Sequence, residues 1–198
     1  KVMANHVSNR IVISNINDDI LDEVNRIFKK AEGEYEVGTE ELAKRVFGDD
    51  APEEYDRGWY CDNCGAKWMH GYAELEEYDS MDEICIEITS AWDSINGWVY
   101  RLFQNLSKIN ESVIIMNTFE DEGYNFAGVY YTSKEHEDDC EWIDMDEHDV
   151  NIMFGDDVEQ SEIANDKFYD EMYELEQSHK ECHLRVIKDM KLNPENYE

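Results

Sequence analysis

Basic residues are scarce in this chain. Its 198 residues include 17 Lys and Arg against 49 Asp and Glu, a formal net charge of −32 at pH 7. That balance opposes direct binding to DNA or RNA phosphates, because little here can replace condensed counterions. It equally opposes an anionic lipid surface. No run of about eighteen apolar residues occurs, so no membrane span is expected. The opening stretch KVMANHVSNRIVIS lacks the basic, then apolar, then small pattern of a secretion signal; Met3 is read as a natural start, with Lys1 and Val2 a remnant before it. Cysteine is sparse and odd in number (Cys61, Cys64, Cys85, Cys140 and Cys182). A disulfide framework is therefore not expected, and a reducing cytoplasm is the expected location. There is no glycine-rich phosphate loop and no GxSxG context, so phosphate-cradle and serine-nucleophile chemistry find no support.

What is present argues for a folded body. Hydrophobic residues make up 41% of the chain, with five Trp, twelve Tyr and seven Phe, so this is not a disordered acidic tail. Residues 5–16 predict a strand. Asn17 is placed to cap a helix carrying Ile20, Leu21, Val24, Ile27 and Phe28 at helical spacing, which Gly33 would end. A short helix fits 39–47, with Thr39 as its cap, and 48–58 reads as loop. Residues 66–78 and 83–91 predict two strands joined by the turn DSMD. In the second, Ile84, Ile86 and Ile88 alternate with Cys85 and Glu87, the period of a strand with one buried face. A helix at 94–109, capped by Ser94, carries a broad apolar stripe, and strands follow at 112–120 and 124–132. The order predicts an α+β fold, a ferredoxin-like split β-α-β core with an extra strand and a C-terminal acidic helix. Residues 1–133 would form the ferredoxin-like domain. Residues 134–198 would be an acidic segment whose long helix packs on or beside it. The stretch 134–155 reads as irregular, docked by Trp142, Ile143, Ile152, Met153 and Phe154. The helix at 156–190 has an apolar edge of Val158, Ile163, Phe168, Met172, Leu175, Leu184 and Ile187.

Four local patterns carry a resemblance: MANHVSNRIVI (residues 3–13), WYCDNCGAKWM (59–69), ITSAWDS (88–94) and FEDEGYNFAGVYY (119–131). Over residues 3–132 they resemble the ferredoxin-like domain of the Api-ninety-two-like and YubB-like proteins of phages, prophages and plasmids. Ala4 stands at that family's proline, Cys64 at its first tryptophan of the middle motif, and Asp93-Ser94 lacks its proline pair. The resemblance implies a fold and a mobile-element origin, and no reaction.

Several constellations invite chemistry. Cys61 and Cys64 have half a zinc site's spacing, but His179, Cys182 and His183 lie more than a hundred residues away, and His70 is the nearer candidate. Packing of Cys64 is the simpler expectation, and no metal or other cofactor is expected. Asp144, Asp146, His148 and Asp149 suggest a calcium loop, yet Asp149 and Gly155 occupy the template's obligatory glycine and acid positions. Glu120, Asp121 and Glu122 form an acidic triplet that could serve acid/base work, but the resemblance implies a turn motif there, with Gly123 expected to supply positive φ. No catalytic residues and no enzymatic activity are expected. Trp68, Trp92, Asp121, Glu122, Tyr124 and Asn125 lie within the four patterns. They could line a shared groove at the strand ends, but core packing is the plainer expectation.

The acids of 156–176 carry the functional expectation. They are Asp156, Asp157, Glu159, Glu162, Asp166, Asp170, Glu171, Glu174 and Glu176. On a helix they give one charge per about 3.5 Å, against one per about 3.4 Å along a DNA strand. Like charges at i and i+4 cost a few tenths of a kcal/mol per pair, so the row invites a use. The expectation is a phage-type interaction protein that mimics nucleic acid. Acting in the host cytoplasm, it would occlude the basic nucleic-acid-binding surface of a host protein by stoichiometric binding, as anti-restriction and anti-CRISPR mimics or modulators of host polymerase do. The alternatives are a virion or accessory protein, a protein adapted to saline cytoplasm, and a small metal-dependent hydrolase or nuclease.

Overall fold

The computed structural model describes residues 5–73, 83–134 and 139–192, with side chains as far as residue 181. Six strands form one open antiparallel sheet: β1 (His6–Ser14), β2 (Met69–Ala73), β3 (Glu83–Ala91), β4 (Ile114–Asp121), β5 (Ala127–Thr132) and β6 (Asp139–Trp142). Their order is β2-β3-β1-β4-β5-β6. The first four strands, read across as β4-β1-β3-β2, form the predicted split β-α-β core, with β5 and β6 added at the β4 edge. The fold is α+β. The hairpin turn predicted at DSMD lies outside the described residues.

Alternation decides which side chains go where. Val7, Asn9, Ile11 and Ile13 of β1 are buried on one face, and register brings Ile86 and Asn117 beside Ile11. That face is covered by α1 (Asp18–Ile27), α2 (Thr39–Phe47), α3 (Arg57–Cys64) and α4 (Asn96–Leu106), whose Ile20, Val24, Leu42, Tyr60, Trp98 and Leu102 complete the main core. Asn17 caps α1 as predicted, accepting from the Ile20 N–H at 2.9 Å, but the helix closes at Phe28, before Gly33. The cap of α2 is Gly38. Thr39 is its first residue, and the Thr39 hydroxyl donates instead to the Met69 carbonyl at 2.8 Å, tying α2 to β2. Ser94 is not the cap of α4; it is buried, and Ile95 holds that position without a side-chain bond.

Several elements lie where the sequence reads as loop or irregular chain. Helix α3 begins within the predicted loop: Asp56 accepts from the N–H groups of Gly58 and Trp59. It ends at Gly65, whose φ of 96° is left-handed. A Cβ there would meet the Ser94 carbonyl oxygen at 2.5 Å, so only glycine fits. Strand β6 extends the sheet from residues 139–142. It escapes periodicity because a four-residue acidic edge strand buries no alternating face. A four-residue helix, α5 (Val150–Met153), then leads into α6 (Val158–Leu192).

The two faces of β5 explain α6. Every residue of β5 is buried. Tyr130 faces the main core, while Ala127, Val129 and Tyr131 face the other side. A second cluster forms there from Ala127, Ile143, Met153, Phe168 and Met172. Of the predicted apolar edge, Phe168 and Met172 dock with Leu175 packed beside them, whereas Val158 and Ile163 are more than 60% exposed; Leu184 and Ile187 lie outside the described side chains, and Ile152 and Phe154 are exposed as well. Trp142 is half exposed yet meets Phe119 edge to face, ring centroids 5.0 Å apart.

Asn9 locks the centre of the main face. Its Nδ2 donates to Ser90 Oγ at 2.9 Å and lies within reach of the Val7 and Ile88 carbonyls. Its Oδ1 accepts from the Ile95 N–H and from Asn117 Nδ2, each at 3.2 Å. One buried amide thus joins β1, β3 and β4 to the start of α4. Asn9→Ala strands several of these groups and should cost about 2–4 kcal/mol. Urea unfolding should show a lower midpoint with an unchanged slope; a midpoint equal to the parent's contradicts the network's role.

Candidate functional site

Three places bear on function: the end of the sheet where the four sequence patterns meet, the outer side of α6, and the space between α6 and the sheet.

At the sheet end, the Trp92 N–H donates to the Asn5 carbonyl at 3.0 Å, and Asn5 Nδ2 reaches Asp121 at 3.5 Å. The His6 N–H donates to Glu122 at 3.0 Å, and the His6 ring meets Trp68 edge to face at 5.5 Å. Trp68, Trp92, Asp121 and Glu122 therefore converge. Tyr124 does not join them: it turns under α6 against Phe154 and Phe168. Asn125 serves the turn, donating its side-chain and backbone N–H groups to Asp121, which also accepts the Gly123 N–H at 3.1 Å. The positive φ expected at Gly123 belongs instead to Tyr124, at 51°. A Cβ at Gly123 would meet Asn125 Nδ2 at 2.9 Å and so press on the side chain that ties the turn to Asp121. Core packing does not describe Trp92. It is 42% exposed, has a φ of 76°, and lies beneath Arg57 and Lys67, each 4.7 Å from the ring centroid. A left-handed aromatic residue costs about 1–3 kcal/mol, and two cation–π contacts of about 0.5–1 kcal/mol each offset part of it.

The metal candidates whose side chains are described have local roles; Cys182 and His183 lie outside the described side chains. Cys64 is fully buried in the main core, and burial first, then Cys61, pushes its thiol pKa up to about 12. His70 stacks on Trp68 and pairs with Glu36 at 2.6 Å. His179 stacks on Tyr131 and pairs with Glu141 at 3.1 Å. Asp144 accepts from the Asp146 N–H, Asp149 caps α5, and His148 is buried against Phe168 with Nε2 at 2.9 Å from Glu171. The apparent calcium loop is thus two helix caps and a buried histidine. Among the described residues, no three His, Cys, Asp or Glu converge as a metal would require.

On α6 the acids divide. Glu159, Glu162, Asp166, Asp170 and Glu174 are all exposed. At 3.6 residues per turn they fall within about 120° of arc, opposite Phe168 and Met172. Asp156 and Asp157 precede the helix, and Asp157 accepts from the Gln160 N–H at 3.2 Å. Glu171 and Glu176 are drawn inward. Glu171 holds His148, while Glu176 accepts from the Thr118 hydroxyl and lies 3.9 Å from Arg10. The outer row therefore carries five of the nine predicted carboxylates, spaced on average about 5.6 Å along the axis. The expected match to the charge spacing of a DNA strand is lost; what remains is a one-sided anionic ridge.

Between α6 and the sheet lies a cleft of about 270 Å³. Ser8, Arg10, Glu87, Thr118 and Glu120 form its floor, and Tyr169, Met172, Tyr173 and Glu176 its wall. Sequence reasoning missed it, because its residues come from four separated elements. The one available signal was the placement of acids on β3 and β4 (Glu87 and Glu120) opposite an apolar face. Burial raises the Glu120 pKa, opposed by a hydrogen bond from Tyr169. Burial also raises Tyr169, which shares a 3.2 Å hydroxyl contact with Tyr124.

Comparison with models of known protein families, with curated proteins and with solved structures finds no match. Among the described residues, no helix is long and apolar enough to cross a membrane.

The raised Glu120 pKa sets a pH dependence. Well below the ordinary glutamate value, both the folded and unfolded chains hold this proton, and the group contributes no difference. As pH rises, the unfolded chain releases it first, so Glu120 subtracts stability from the ordinary value up through its raised folded value. A carboxyl-carbon NMR titration should place the Glu120 midpoint above the ordinary glutamate value of about 4.3. A midpoint at or below that value contradicts a desolvated cleft.

Proposed function

We propose that this chain is a non-enzymatic acidic interaction protein of mobile-element origin, which occupies the basic nucleic-acid-binding surface of a host protein and blocks it by occlusion. The supporting observation is the ridge on α6: five exposed carboxylates on one side of a helix whose opposite side is fixed to the sheet by Phe168 and Met172. A cationic groove would relieve the repulsion within Glu162/Asp166, Asp166/Asp170 and Asp170/Glu174 and would be found quickly by electrostatic steering. The wide charge spacing favours occupation by sign and sidedness over a phosphate-by-phosphate copy. The target classes are restriction and CRISPR complexes and host polymerase, and binding should weaken steeply in salt.

A second reading has its own observation. Asp18, Asp19, Asp22, Glu32, Glu34, Glu40, Glu41, Asp49, Asp50, Glu53 and Glu54 are exposed on α1, α2 and their flanking loops, outside α6. A chain that uses acids only to stay hydrated, as in a saline cytoplasm, would look like this all over.

Two amide variants separate these readings. One carries Glu159→Gln, Glu162→Gln, Asp166→Asn, Asp170→Asn and Glu174→Gln. The other carries Asp22→Asn, Glu32→Gln, Glu34→Gln, Glu53→Gln and Glu54→Gln. In pull-downs from host lysate, the parent should capture a basic nucleic-acid-binding protein at low salt and release it at high salt. The first variant should lose it, and the second should keep it. Equal losses from both variants, or no such protein captured by the parent, contradict the proposal.

A further inference from the structure

Helix α6 does not close the second face of the sheet. The cleft beside it is mixed in chemistry. Its three carboxylates, Glu87, Glu120 and Glu176, outnumber the one guanidinium of Arg10, which lies 3.9 Å from Glu176. Tyr169 and Tyr173 stand at its edge, 47% and 61% exposed. We infer that this cleft is a receptor for one arginine side chain of the basic partner, with the guanidinium held between the Glu120 carboxylate and the faces of Tyr169 and Tyr173.

The choice of occupant follows from what the cleft refuses. An anion would meet an excess of carboxylates. A purely apolar group would shut Glu120 off from water with only its hydrogen bond from Tyr169 and no counter-charge, at a cost. At about 270 Å³ the cleft falls below the roughly 300–1,000 Å³ of pockets for drug-sized ligands, so a single side chain is the fitting size. Arginine is preferred over lysine because its planar, weakly hydrated guanidinium stacks on tyrosine while forking onto a carboxylate. The raised Glu120 pKa agrees with a site poor in water, where opposite charges attract more strongly. The inference rests on the proposed function only in taking the partner to be basic. The ridge supplies long-range attraction, and the cleft supplies a short-range anchor on the adjoining side of α6.

The test uses the full chain and N-acetyl-arginine amide as probe, followed by NMR at low salt. Saturable shifts should centre on Thr118, Tyr169 and Tyr173. Glu120→Gln and Tyr173→Ala should each weaken binding about fivefold or more. Both changes are mild for the fold, the first isosteric and the second at an exposed ring. The variant with five amides on the outer side of α6 should keep the same site, so loss of the ridge and loss of the cleft read out separately. N-acetyl-lysine amide should bind more weakly. Shifts spread over the acidic surface without saturation, binding unchanged by both cleft variants, or equal binding of the lysine probe would each overturn the inference.

Discussion

The side chains of Ala127 and Tyr131 leave β5 on the face away from the four helices of the main core, and they are as deeply buried as those on the core side. A strand buried on both faces needs a second covering layer. Phe168 and Met172 provide it, and each such burial contributes about 1.5–3 kcal/mol. This contact fixes the rotation of α6 about its axis. The outward row at Glu159, Glu162, Asp166, Asp170 and Glu174 follows, as do the inward turn of Glu171 and Glu176 and the cleft left over β1, β3 and β4. Without the docking, a helix with repeated like charges one turn apart would have little reason to form or to present one side.

The few cations are placed with similar economy. Arg45 caps α1 through the Ile27 carbonyl at 2.7 Å and the Lys29 carbonyl at 2.7 Å, and Arg26 reaches the Arg45 carbonyl at 2.8 Å. Arg57 and Lys67 sit over Trp92, and Arg10 lies in the cleft. Along the ridge segment the single basic residue, Lys167, reaches the Glu147 carbonyl at 3.2 Å. These positive charges serve backbone carbonyls, an aromatic ring and the cleft floor, while Arg26, Arg101, Lys134 and Lys180 pair with Glu23, Asp50, Glu111 and Glu83, none of them in the outer row.

Much of this architecture was legible because it rests on periodicity. The alternation of Ile84, Ile86 and Ile88, the Asn17 cap and the stripe through Trp98 and Leu102 each mark one element, and their order yields the α+β core. Helix α3 escaped because its inward pair, Tyr60 and Cys64, spans a single turn, and β6 because an edge strand of four polar-flanked residues has no buried alternation. The division of the acids was beyond the sequence for a different reason. Only the docking of Phe168 and Met172, and not of the equally apolar Val158 and Ile163, turns Glu171 and Glu176 inward and Asp170 and Glu174 outward. What separates them is proximity to His148, Thr118 and Arg10, partners distant in the chain. The cleft was hidden for the same reason.

The central claim is that docking of α6 sorts its carboxylates into an outward row and an inward pair. Carbodiimide labelling of carboxyl groups in the native protein, read residue by residue by mass spectrometry, tests it most directly. The account predicts rapid labelling of Glu159, Glu162, Asp166, Asp170 and Glu174, slow labelling of Glu176 and the buried Asp121, and an intermediate rate for Glu171, whose side chain is 36% exposed. Uniform labelling along α6 would contradict it.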